Sequence, residues 1–355
     1  MDNIAALVKN TLSNSGLFSS SVNELSGGLY MYDIVVVECE VRELHMLMGE
    51  VGNVRFGDPD NSYADEKELI ELIGDADAVV CTARGKFTRN VIAAAKNLKI
   101  IAKCGSVPNN IDVEAATEFG VAVTYTPGAN KVSVAEHALT LMMALLKLMP
   151  KSTEIQKIGG WKSESLQASE LTGKTVGIIG LGAAGSSLAD MLVPFDVDIL
   201  CYDPYADPEK ISKAGASSVE MDTLLEESDI ISIHCQLCDE TRGFIDRQKL
   251  RKMKKNAYLV NTARGALIDE AALVEALTEK WIAGAGIDVY STEPTSKDNP
   301  LFKLDNVLCT PHLAGWTSEC LARETQGTTD SVLQILKGET PQNLINPDYT
   351  KNLKK

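Results

Sequence analysis

Halfway along the chain the run "TVGIIGLGAAG" ends in three glycines, Gly180, Gly182 and Gly185, spaced G-x-G-x-x-G. Glycine weakens helices and strands, so three at this spacing point to a turn that other residues make poorly. The aliphatic residues before it read as a buried strand, and the residues after it as a helix. In such a strand–turn–helix unit the first glycine makes the tight turn and the second lets a phosphate approach the backbone. The third lets helix and strand pack closely. The helix N-terminus, here Ala183 and Ala184, then offers free N–H groups and a positive dipole end to that phosphate. Alone the motif is weak. Eighteen residues beyond Gly185, however, "DILCYDPY" ends a second strand with Asp203, where an acid is expected to bind adenosine ribose hydroxyls. That carboxylate repels a 2′-phosphate, and no Lys or Arg follows before Lys210, so the pattern favours NAD over NADP.

The same alternation runs through the rest of the chain. Strand-like runs fall at 34–38, 78–81, 99–103 and 122–125, with helical patterns such as "EKELIELIG" and "TRNVIAAAKN" between them. A second series follows at 175–179, 197–201, 230–234, 257–261, 284–289 and 307–310, with helices at 184–195, 222–227, 269–278 and 318–337. Short apolar runs alternating with helices predict an α/β fold of two doubly wound parallel-sheet domains. Between the two series, residues 132–148 read as one long helix. It is apolar nearly all round, so burial between domains or subunits is expected. Residues 1–30 read as an N-terminal extension.

A chain of 355 residues, 45% hydrophobic and 23% charged, has room for two cores. Its net charge of -15 argues against nucleic acid, which is bound through clustered Lys and Arg. No apolar run reaches the length of a membrane span. The first residues lack a basic start and a continuous apolar stretch, so no secretory signal is expected. Cys39, Cys201 and Cys309 sit in apolar runs and read as small buried hydrophobes. Cys235 and Cys238 form a CxxC with no second pair to complete a zinc site, so no metal is expected. Free thiols fit a reducing cytoplasm.

The four histidines are His45, His137, His234 and His312. His45 reads as a surface or packing residue on a helix, His137 as a satisfied interface residue on the long helix, and His234 ends a strand. His312, in "VLCTPHLAGW", lies just past a strand, in the crevice where open α/β sheets hold ligands. Arg264 in "YLVNTARGAL" and Glu293 in "AGIDVYSTEP" have comparable positions, with Asp288 within the strand before Glu293. A guanidinium suits a bidentate grip on a carboxylate. A carboxylate beside an imidazole orients it and raises its pKa. From spacing alone each is equally a loop charge; with a nucleotide fold they describe hydride transfer to a 2-oxo acid.

On these residues the chain resembles the NAD-dependent D-isomer-specific 2-hydroxyacid dehydrogenases, in their phosphoglycerate dehydrogenase-like branch. The match runs from about 75 to 347 and is densest in "TVGIIGLGAAG", "CYDPY", "HCQLCDETRGFID", "LVNTARGALIDEAAL", "AGAGIDVYSTEP" and "TPHLAGWT". The resemblance implies a catalytic Arg264, an acid/base His312 paired with Glu293, and Asp288 near the nicotinamide carboxamide. It implies cofactor contacts at Gly180, Gly182, Ala183, Ala184, Gly185, Asp203, Cys235, Thr262, Ala263, Arg264 and His312. It further implies a discontinuous substrate domain, 31–130 with 317–355, around an NAD-binding Rossmann domain, 131–316, and a homodimer through helix 132–148. The implied substrate is a small anionic 2-hydroxy or 2-oxo acid. No regulatory domain is expected after 347. The loop "CGSVPNNID" departs from the family's G-x-G-x-D-N, but its amides at Gly105, Ser106 and Val107 are still expected to face the substrate carboxylate. "TARGKFT" has Thr82 where phosphoglycerate-specific members carry Arg, with Arg84 and Lys103 nearby. An NAD-sensing, corepressor-like module on the same fold is the alternative.

Overall fold

Two parallel sheets carry the fold of the computed structural model, which describes residues 32–37, 48–49, 51–58 and 60–353. The expectations for residues 1–30, Cys39 and His45 lie outside those residues. The chain divides into two units: the residues up to Asn130 with Ser318–Lys355, and Lys131–Thr317.

In the first unit β1 (Tyr32–Val36), β2 (Gly52–Phe56), β3 (Ala78–Cys81), β4 (Ile100–Lys103) and β5 (Ala122–Thr124) are parallel, in the order β2-β1-β3-β4-β5. Successive side chains point to opposite faces. Val35, Val79, Ile101 and Val123 meet Leu69, Ile73, Val91, Ile92 and Ala115 from the helices Glu66–Ile73, Arg89–Ala94 and Val113–Glu118. Ile34, Val36, Val80, Ile100 and Ala122 face the other way and cluster with Val332 and Ile335 of the helix Ser318–Leu336, and with Tyr349. The last residues are thus part of this core. Asn346 fastens them: its Oδ1 accepts from the Val123 amide at 2.7 Å, and its Nδ2 donates to Val121 O at 2.9 Å and Thr117 Oγ1 at 3.0 Å. The strand β2 was not expected, because "GNVRF" lacks an apolar run. It is held at the sheet edge by pairing with β1 and by Arg55, whose Nη2 lies 2.6 Å from Asp33 Oδ2.

The second unit holds β6 (Thr175–Ile179), β7 (Asp198–Tyr202), β8 (Ala216–Ser218), β9 (Ile230–Ile233), β10 (Tyr258–Asn261), β11 (Gly284–Ile287) and β12 (Val307–Cys309). They form one parallel sheet in the order β12-β11-β10-β9-β6-β7-β8. Here too, alternate residues feed two cores. Ile179, Ile231, Leu259 and Ala285 pack with the helices Met221–Glu227 and Glu270–Thr278, and Val176, Ile178, Ile230 and Val260 with Lys131–Leu146 and Ala183–Leu192. The strand order reverses at β6, whose carboxyl end carries Gly180. The short edge strand β8 also escaped the sequence reading, since Ser217 and Ser218 are exposed.

Two helices differ from expectation. The long one is Lys131–Leu146 rather than 132–148. Leu148 turns left-handed at φ 51, and a second helix, Met149–Lys157, starts there with Pro150 in its first turn. Proline has no N–H to continue the previous ladder, so the apolar run breaks where its hydropathy does not. The helix expected over 184–195 is Ala183–Leu192, followed by the tight turn Val193–Phe195 at Pro194. No single helix among the described residues is long and apolar enough to cross a membrane.

Replacing Asn346 with Ala is expected to leave the Val123 amide and Val121 carbonyl buried without their partner. The expected loss is about 2 kcal/mol, read as a lower urea midpoint with the far-ultraviolet spectrum unchanged.

Candidate active site

The glycine turn follows directly from β6. Gly180 has φ +92, and a Cβ built on it lies 2.7 Å from Cys235 Cα. A Cβ on Gly185 lies 2.2 Å from Gly180 O. Both positions exclude a side chain because backbone already fills the space. Gly182 is different: nothing lies within 4 Å of its Cβ position, at the N-cap of the helix that begins Ala183-Ala184. This open space, against free helix amides, fits the approach of a dinucleotide pyrophosphate. Asp203, just past β7, accepts from the Leu181 amide at 2.7 Å through Oδ2 and from the Tyr205 amide at 3.0 Å through Oδ1. It therefore braces the same turn. Lys210 Nζ reaches Leu181 O at 2.8 Å. Thr262 Oγ1, past the end of β10, is buried and has no hydrogen-bond partner among the described residues. Ala263 next to it donates its amide to Asn261 Oδ1 at 3.0 Å.

The strands β10, β11 and β12 are neighbours, so the residues past their carboxyl ends emerge side by side. Arg264 follows β10 and is exposed, with Asn261 Nδ2 donating to its carbonyl at 2.9 Å. Gly265 must be glycine, because a Cβ there would lie 1.9 Å from the Tyr290 carbonyl carbon. Asp288 follows β11 and has no exposed surface. Its Oδ1 accepts from Thr310 Oγ1 at 2.6 Å and the Leu313 amide at 2.8 Å, and its Oδ2 from the Ala314 amide at 2.8 Å. These three donors occupy three of the carboxylate's roughly four acceptor sites, one of the two on Oδ2 being left. His312 follows β12. Its Nδ1 lies 2.7 Å from Glu293 Oε2, and Glu293 Oε1 accepts from the Tyr290 amide at 2.9 Å. The Glu293–Pro294 peptide is cis.

Electrostatics follow from these contacts. The hydrogen bond to Glu293 raises the His312 pKa above its ordinary 6.5, against the opposing effect of burial. The Glu293 and Asp288 charges add to the rise, and the Arg264 charge lowers it. Burial pushes Glu293 up, but its bonds to His312 and Tyr290 and the nearby Arg264 outweigh this, and its pKa is lowered. The pair is thus a carboxylate whose contact favours the charged form of the imidazole, and Glu293 engages Nδ1 rather than Nε2. His234 is the opposite case. Burial lowers its pKa to about 4, and its Nε2 lies 2.8 Å from Ser232 Oγ.

In the first unit the loop after β4 carries the remaining candidates. Gly105, at φ +126, donates its amide to Thr126 Oγ1 at 2.8 Å. An amide has one proton, so the expectation that this one faces a substrate is corrected; Ser106 and Val107 remain. Ser106 Oγ lies 3.0 Å from Asn130 Oδ1. Lys103 Nζ binds Asn110 Oδ1 at 2.9 Å and also Thr82 O, so it ties two loops of this unit together. Reasoning from sequence gave no site role to His137 or Thr310, which meet Asp288; Thr310 stands in the quoted "TPHLAGWT", whereas no quoted motif includes His137.

Residues 139–314 match the family model described as D-isomer specific 2-hydroxyacid dehydrogenase, NAD binding domain. The chain is 41% identical to a glyoxylate reductase of Thermofilum pendens over 80% of this chain and 86% of that one. It is 40% identical to a D-3-phosphoglycerate dehydrogenase of Archaeoglobus fulgidus over 79% of this chain, but spans only 53% of that protein's length. A crystal structure of the Aquifex aeolicus D-lactate dehydrogenase, complexed with NAD and lactic acid, superposes with a TM-score of 0.76 at 27% identity, covering 88% of this chain and 98% of that one.

Titration of the imidazole resonances by NMR checks the electrostatics. His312 is expected to titrate above 6.5 and His234 to stay neutral until about pH 4. Glu293→Gln should bring the His312 midpoint down; an unmoved midpoint would show that the pair does not form in solution.

Proposed function

Because the chain belongs to the D-isomer-specific 2-hydroxyacid dehydrogenase family, we propose that it transfers a hydride between NAD(H) and a small 2-hydroxy or 2-oxo acid with D stereochemistry. The observation that carries this reading is the 2.7 Å bond between His312 and Glu293, within reach of the Arg264 charge, in the unit that also bears the glycine turn. The relatives' names, glyoxylate reductase, D-3-phosphoglycerate dehydrogenase and D-lactate dehydrogenase, favour a short 2-oxo acid.

Gly180, Gly182, Gly185, the Ala183 and Ala184 amides and Asp203 hold the dinucleotide, with Cys235 and the segment Thr262, Ala263 and Arg264 beside it. Asp203 disfavours a 2′-phosphate. Bound there, NADH supplies the hydride. Arg264 pairs with the substrate carboxylate; in the first unit the Ser106 and Val107 amides are candidates for binding substrate. His312, kept protonated by Glu293, donates from Nε2 to the oxygen on which negative charge develops, and takes that proton back in the oxidative direction. Asp288 serves by holding the His312 segment. The first unit is the substrate domain in this reading.

The protein is further proposed to be a cytoplasmic homodimer through the helix Lys131–Leu146 and the segment after it. Met149, Ile158 and Trp161 are 52, 85 and 76% exposed and lie within thirteen positions of one another, apolar surface that a second copy would cover.

NADH oxidation against a panel of 2-oxo acids tests the activity. His312→Gln is expected to lower kcat about 1,000-fold while leaving NADH binding by fluorescence unchanged; an unaltered kcat overturns the assignment. Sedimentation equilibrium is expected to give a dimer that Ile158→Glu with Trp161→Glu converts to monomer, and a monomeric wild type overturns that part.

A further inference from the structure

His137 lies on the helix Lys131–Leu146, away from every motif in the sequence, yet its Nε2 is 3.0 Å from Thr310 Oγ1 and 3.5 Å from Asp288 Oδ1. Thr310 has one hydroxyl proton, and it goes to Asp288 Oδ1 at 2.6 Å. A hydroxyl that has given away its proton has only lone pairs left. His137 must therefore donate to it, which fixes the proton on Nε2. The sequence of donors runs His137 to Thr310 to Asp288, and Asp288 then receives the Leu313 and Ala314 amides.

Between Thr310 and Leu313 stands His312, at φ 54. The left-handed region costs a residue with a Cβ roughly 1 kcal/mol or more. Successive amides converging on one carboxylate are the kind of anchor that holds such a turn. The His312 amide itself donates to Asp288 O at 2.8 Å, and Tyr290 Oη to Thr310 O at 2.9 Å. A fully buried carboxylate with one donor removed is left with unbalanced charge, and it re-forms its contacts by moving the groups that are free to move. Here those groups are residues 310–314, the segment that carries the imidazole.

We propose that His137 is a positioning residue for the reaction: by donating to Thr310 it completes the bracket around Asp288 that holds His312 in its working place. This rests on the dehydrogenase reading above. His137 touches neither substrate nor cofactor in this account, and acts through the segment alone.

The test uses the full chain with His137→Phe, which keeps a flat ring but cannot donate, and His137→Gln, whose amide brings an N–H to nearly the same place. His137→Phe is expected to lower kcat roughly 10- to 100-fold, with KM for NADH and the NADH affinity by fluorescence unchanged. His137→Gln is expected to recover most of that loss. A wild-type kcat in His137→Phe overturns the proposal, as does an equal loss in both variants, which would mark His137 as a packing residue. If the wild type turns over no 2-oxo acid, the dehydrogenase reading fails by itself. The NMR resonance of the His312 ring, readable without turnover, then decides: it is expected to shift in His137→Phe and return in His137→Gln, and an unshifted resonance overturns the bracket.

Discussion

The central strands of both sheets bury both of their faces, and the rest of the structure follows from that. A strand such as β3, with all four residues buried, exposes neither edge nor face to water, so helices must cover the sheet on both sides. Only the strand ends are left to carry polar chemistry. In the second unit β10, β11 and β12 are parallel neighbours, and Arg264, Asp288 and His312 each follow one of them directly. Three residues far apart in the chain are gathered because their strands are adjacent, with no special loop needed to bring them together.

The same burial constrains the candidate site. Asp288 cannot be hydrated, so each of its oxygens must find donors in the protein. The donors it finds are the amides after His312 and the hydroxyl before it. An electrostatic requirement of the core thus becomes a geometric constraint on an exposed imidazole. Gly265 adds a second constraint of purely steric origin, since the Tyr290 backbone lies where its side chain would be. Arg264 and the segment leading to Glu293 are therefore pinned against each other.

Much of this was legible in the sequence, and the misses have physical reasons. The buried strands announce themselves as aliphatic runs, and the glycine turn by its spacing. Arg264, Glu293 and His312 were visible because they stand just past such runs. The edge strands β2 and β8 were not, because "GNVRF" and "ASS" need bury little and so carry little hydrophobic signal. The break at Leu148 was masked by the apolar run around it, although Pro150 was in plain view. His137 belongs to a third kind. It is one residue on a helix whose partner lies 173 positions away, and only the folded arrangement joins them. The Gly105 amide fails similarly: Thr126, which takes it, comes from the next strand's end.

The return of the chain to its first sheet bears on how the molecule is made. A ribosome delivers Ile34, Val36, Val80 and Ile100 before Lys131–Thr317, but the side chains that cover them, Val332, Ile335 and Tyr349, only after it. All of Lys131–Thr317 is synthesised in between, and it holds every strand and helix its own sheet requires. The inserted unit therefore completes its core while the unit begun before it still has one apolar sheet face open. During that interval the nascent chain displays an apolar surface of the kind that chaperones cover.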